Sequence, residues 1–95
     1  MDDMRNTGIL GLKAPEVRGD EIARIAHEGG DYRLTLDGII LYVSDAGTGE
    51  CIAAANTLLW FQPNWRWYGE YRLKPIEWTG ALGDKVCQAI RPYRE

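Results

Sequence analysis

The sequence predicts an α+β fold: one small domain, an antiparallel β-meander of about four to five strands with one or two helices packed on one face. Three observations carry that expectation. Asp37-Gly38 stands between the alternating runs YRLTL and IILYV, a strong local signal for a hairpin. Trp65 to Leu73 alternates between apolar and polar residues, as a strand with one buried and one wet face does. After Trp78, the residues Leu82, Val86, Ala89 and Ile90 recur at helical spacing.

Residues 1–8 are polar with nothing to pack and read as a loose terminus of the single domain 1–95. Ile9, Leu10 and Leu12 form a short apolar patch, either an edge strand or a tether onto the core. Asp20 is placed to cap a short helix over Glu21–Glu28, with Ile22, Ile25 and Ala26 on one face and Gly29-Gly30 as its stop. The rival reading is a strand with Glu28–Asp31 as the turn, but Ile22 and Ile25 would then point to opposite faces.

The hairpin Tyr32–Val43, turning on Asp37-Gly38, pairs Leu36 with Ile39, Leu34 with Leu41 and Tyr32 with Val43, all on the core face. Arg33 falls opposite Tyr42 on the other face, a cation–π geometry, and Thr35 opposite Ile40. Ser44–Glu50 is a turn-rich loop. Cys51–Ala55 continues the meander as a third strand or forms a short helix, and periodicity does not decide between them. Leu58–Phe61 and Trp65–Leu73 read as a second hairpin around Gln62-Pro63-Asn64. Along its second strand Trp65, Trp67, Tyr71 and Leu73 face the core, leaving Arg66, Tyr68, Glu70, Arg72 and Lys74 outside. Gly69 permits a bulge and Pro75 ends the strand. The final helix takes Thr79 or Asp84 as its cap and stops before Pro92.

Composition narrows the function classes. A chain of 95 residues buries about 60–65% of its unfolded surface, enough for one modest core without metal or disulfide staples. Its start carries acids where a secretory signal carries bases, and no apolar run nears the roughly 20 residues of a membrane span. A cytoplasmic protein with no membrane partner is expected. Residues 1–50 hold ten acids and five bases, whereas residues 51–95 hold four acids and six bases, so the aromatic half is also the basic half. A net charge of −3 fits neither a DNA mimic nor a strongly basic nucleic-acid module.

Catalytic groups are scarce. His27 and Ser44 are the single residues of their kinds, and neither lies in a nucleophile motif. His27 has a structural explanation at a helix C-terminus, where its charge complements the dipole. Cys51 and Cys87 lack metal-ligand spacing and read as small buried thiols, and a small enzyme using Cys51, His27 and an acid is a minor reading. The GTG segment between Asp45 and Glu50 lacks a phosphate-loop pattern, and those two acids do not match a calcium loop. No cofactor, metal or catalytic residue is expected.

The constellation that remains is the outward row of the aromatic strand. Arg66, Tyr68, Arg72 and Lys74, with Trp78 beyond them, combine the residue types enriched in interface hot spots. The expected function is a non-enzymatic binding protein, an inhibitor that blocks a protein or nucleoprotein partner by steric occlusion. The alternative is a small nucleic-acid-binding module using that aromatic–basic face for stacking and phosphate contacts. Exposed strand edges leave a homodimer open as well. In size and composition alone, the chain resembles phage-encoded inhibitors such as anti-CRISPR proteins, and toxin-neutralising immunity proteins.

Overall fold

The computed structural model describes residues 14–57 and 65–94. Five antiparallel strands follow one another across a single sheet in chain order: β1 (Asp20–His27), β2 (Gly30–Asp37), β3 (Ile40–Asp45), β4 (Cys51–Asn56) and β5 (Arg66–Trp67). A 3₁₀ helix (Gly69–Leu73) then leads into one long helix, α1 (Ile76–Arg94). The α+β meander expected from the sequence is therefore the observed fold. The apolar patch Ile9–Leu12, the first strand of the second hairpin, its turn and Trp60 lie outside the described residues.

The segment expected to be a helix, Glu21–Glu28, is strand β1. In a regular strand Ile22 and Ile25 point to opposite faces. A bulge changes this: Glu21 pairs with Thr35 and Ala23 with Leu34, so Ile22 is an extra residue. The bulge re-phases the strand, and Ile22, Ala23 and Ile25 all pack against the main core. It also brings Glu21 and Arg24 to one face. Arg24 Nε donates to Glu21 Oε2 at 2.7 Å across a spacing of three residues, which a regular strand would place on opposite sides. The turn into β2 is Glu28-Gly29, with φ of 50° and 85°, the double left-handed pattern of a type I′ hairpin. His27 accordingly ends a strand rather than a helix.

The β2–β3 hairpin turns one residue later than the Asp37-Gly38 pair suggested. Asp37 pairs with Ile40, so Gly38 and Ile39 form the turn. Gly38 supplies φ of 63° at the first central position, as a type II′ turn requires, and Ile39 is 45% exposed at the tip. Leu34 then pairs with Val43 and Leu36 with Leu41. Each partner moves by two residues, and an even shift keeps every side chain on its face. Leu34, Leu41 and Val43 remain core residues, but Arg33 now lies opposite Ser44 and not Tyr42. Its guanidinium reaches the Ala46 carbonyl at 3.4 Å, and its Nε lies 3.3 Å from Glu21 Oε1.

Cys51–Asn56 is a strand, and residues 51–55 are all buried because both of its faces are covered. A second bulge, with Val43 opposite Ala53 and Ser44 opposite Cys51, makes Ile52 the extra residue and adds it to the main core. Helix α1 lays Leu82, Val86 and Ile90 onto that core beside Tyr32, Leu34, Leu41 and Val43. It begins at Ile76, before either expected cap, and Pro92 lies in its last turn rather than beyond it. Thr79 bonds back to the Ile76 carbonyl at 3.3 Å instead of capping. Buried Gly83 keeps the helix close to Trp65, because a Cβ there would stand 3.2 Å from Trp65 Nε1. On the opposite face a smaller cluster joins Cys51, Ala54 and Tyr68 to Ala14, Val17, Ile40 and Tyr42.

The outer edge of β1 is only partly open. Lys85 of α1 donates from Nζ to the Ala26 carbonyl at 3.2 Å, and the Ile22 bulge interrupts the ladder further along. Both features blunt an edge against pairing with another strand.

Burial locates the dominant stabilising term on the α1 face. Leu34→Ala should lower the unfolding free energy by about 2–5 kcal/mol in urea titration, whereas Ile39→Thr should change it by less than about 0.5 kcal/mol.

Candidate functional site

The expected binding strand ends after two residues. Gly69 takes φ of 59°, a left-handed conformation that stops the extended run, and the chain winds into the 3₁₀ helix. Trp65, Trp67 and Tyr71 still pack against the main core as expected. The outward row does not survive as one face. Arg66 is exposed on β5, and Tyr68, expected outside, is 8% exposed and belongs to the second cluster. Burial raises its phenol above the ordinary tyrosine pKa. Leu73, expected to face the core, is 84% exposed.

Lys74 and Trp78 do come together, at the corner where the 3₁₀ helix meets α1, and Arg72 is exposed on the 3₁₀ helix. Beneath the corner is an aromatic nest drawn from four elements. The Trp78 ring lies 4.8 Å from His27 and 6.4 Å from Tyr32, both edge-on, and 5.7 Å from Tyr71. His27 comes from the end of β1 and is 2% exposed. Its Nε2 lies 3.1 Å from the Trp78 carbonyl, which can only accept, so Nε2 carries the proton and donates. Nδ1 is buried without a partner. His27 thus anchors the first turn of α1 to the sheet. Lys74 closes the nest from outside, with its ammonium 4.9 Å from the Trp78 centroid and 5.7 Å from that of Tyr71. Burial, reinforced by Tyr32, pushes the Tyr71 phenol up to about 12.

The backbone of the corner is tied down as well. Lys74 N–H donates to the Tyr71 carbonyl, and Trp78 and Thr79 N–H both donate to that of Pro75. With the nest filled by Trp78 and Tyr71, the neighbouring aliphatics face solvent: Leu73 is 84% and Ile76 80% exposed. Arg72, Lys74 and Pro75 between and beside them are exposed too. Glu70 and Glu77 flank the segment, so its charge is balanced and its centre apolar.

The remaining candidates have structural roles. Cys51 donates its thiol to the Ala53 carbonyl at 3.3 Å, and burial pushes its pKa up to about 11. It lies in the cluster on the far face from the nest that holds His27, so the sheet separates the two. Asp45 Oδ1 accepts from the Gly47 and Thr48 N–H groups at 2.7 and 3.0 Å, and Thr48 Oγ1 accepts from Glu50 N–H. That is a side-chain-capped turn. Among the described residues no group of three or more metal-ligating side chains comes together, and no helix is long and apolar enough to cross a membrane.

No protein-family model, curated protein or solved structure matches the chain.

Both raised pKa values give stability a sign at alkaline pH. The unfolded chain loses the Cys51 proton near 9 and the Tyr71 proton near 10, before the folded protein does at about 11 and about 12. The unfolded state then binds fewer protons, so stability falls as pH rises from 9 towards 12. Urea midpoints measured across that range should decline, and Cys51→Ala with Tyr71→Phe should flatten the decline. Alkylation at pH 8 should leave Cys51 largely unmodified in the folded protein and label it in urea.

Proposed function

We propose that this chain is a non-enzymatic binding protein that inhibits a protein or nucleoprotein partner by steric occlusion, and that it docks through the corner Arg72–Ile76. The observation that carries the reading is the near-complete exposure of Leu73 and Ile76 on a hydrogen-bonded turn seated over an aromatic nest. Isolated exposed aliphatics are ordinary, but two of them on one hydrogen-bonded corner would form an anchor that loses little entropy on docking. Arg72 and Lys74 add a donor fork and a cation beside the apolar pair. Their complement is an apolar pocket with carboxylates at its rim. Glu70 and Glu77 bracket the two cations and oppose phosphate, which favours a protein surface over nucleic acid.

Leu73→Asp with Ile76→Asp replaces two exposed side chains, so the fold and its circular dichroism should be unchanged. In paired pull-downs from the native host, a partner retained by the wild-type chain should be lost with the double variant, a drop of about 100-fold or more in affinity. Equal recovery with both chains would place the interface elsewhere.

A further inference from the structure

The sheet face away from α1 carries a groove that neither the core nor the corner uses. Its origin is a size mismatch along one cross-strand row. Tyr42 pairs with Ala54, and Ala54 pairs with Arg66, so a methyl group sits between two long side chains on one face. The segment containing Pro15 crosses the same face, where Ala14 and Val17 pack on the second cluster, and Pro15 forms one wall. Ile40 and Tyr68 complete the lining. The volume is about 390 Å³, within the range of small-ligand sites.

The described lining mixes apolar side chains with Asn56, the Tyr42 and Tyr68 side chains and Arg66, and holds no carboxylate among the described residues. Among the described residues no acid pairs with Arg66; the ion pairs there belong to Arg18, Arg24 and Arg33. A guanidinium with no carboxylate partner beside an apolar floor matches an amphipathic anion, and its fork suits the two oxygens of a carboxylate. Among the described residues Arg66 is the one cation of the lining, so its charge complements a single negative group.

We propose that this groove binds a small amphipathic monocarboxylate, with its flat apolar body on Ala54 beside Tyr42 and its carboxylate on Arg66. Occupation would rest on side chains that the sheet already holds, so binding needs no rearrangement of the strands. The site lies on the opposite face from the aromatic nest, and the two are independent.

The test is a titration of the ¹⁵N-labelled full chain with phenylacetate, followed by amide chemical shifts, with neutral phenylacetamide as the control. Phenylacetate should give saturable shifts centred on Tyr42, Ala54 and Arg66, and phenylacetamide should bind at least about tenfold more weakly. Arg66→Gln changes an exposed side chain and should weaken phenylacetate by a similar factor without altering the rest of the spectrum. Ala54→Leu fills the floor and should abolish the shifts. The proposal is overturned if no saturable shift occurs up to about 50 mM, several times the roughly 6 mM that ten heavy atoms at about −0.3 kcal/mol each would give. It is equally overturned if the acid and the amide bind alike, if Arg66→Gln binds as the wild type does, or if the shifts map to another face.

Discussion

The seating of Trp78 is the interaction on which the arrangement of the C-terminal half depends. One indole ring touches His27 from β1, Tyr32 from β2 and Tyr71 from the 3₁₀ helix, and its own carbonyl is held by His27. That contact fixes where α1 begins and how it approaches the sheet. Leu82, Val86 and Ile90 can then follow at helical spacing onto the core. It also fixes what is left outside. Trp78 and Tyr71 occupy the space above the sheet end, so the chain between them must pass over it as an exposed corner. A buried histidine with one unpaired nitrogen is a costly component. Its presence here is explained by the cross-link it makes between the first strand and a helix 51 residues later.

Two bulges give the sheet its character. Each adds an isoleucine, Ile22 or Ile52, to the core face. Among the described residues one helix covers the five-stranded sheet, which leaves few apolar positions on its inner face, and the extra residues enlarge that core. The re-phasing sends Glu21 and Arg24 to the same face as Arg33, where they form a charged edge. Small residues occupy much of the opposite face. Ser44, Cys51 and Ala54 allow Tyr68 and the 14–17 segment to lie close over β3 and β4. Of these, Ala54 also leaves the groove beside Arg66.

The architecture was readable in the sequence because its main signals are local. The Gly38 turn and the alternation of β2 and β3 identify a hairpin, and a register error of two residues leaves the core set unchanged. The period of Leu82, Val86 and Ile90 likewise identifies the helix face. The errors arose where one residue reset the phase. Ile22 made β1 resemble a helix, since a bulge brings residues three apart onto one side as a helix does. Gly69 cut short an alternation that otherwise ran to Lys74, which exposed Leu73, whereas Tyr68 keeps its face and is buried because Ala14, Val17 and Tyr42 pack over it. Of the anticipated binding residues, Lys74 and Trp78 meet and Arg72 is exposed on the 3₁₀ helix, while Arg66 and Tyr68 belong to the other face. Leu73 and Ile76 carried no signal of their own, because an exposed aliphatic and a buried one read alike until the tertiary contacts are known. The flanking Gly69 and Pro75 were the available hint, a five-residue span between two breakers.

A corner that presents Leu73 and Ile76 as a preformed anchor must be as rigid as the elements on either side. Backbone ¹⁵N relaxation of the free protein measures this directly at Arg72, Leu73, Lys74, Ile76 and Glu77. Order parameters of about 0.85, equal to those in the middle of α1, are the predicted result. Values below about 0.6 at those residues would mean that the aromatic nest does not hold the corner, and would contradict a preformed docking site.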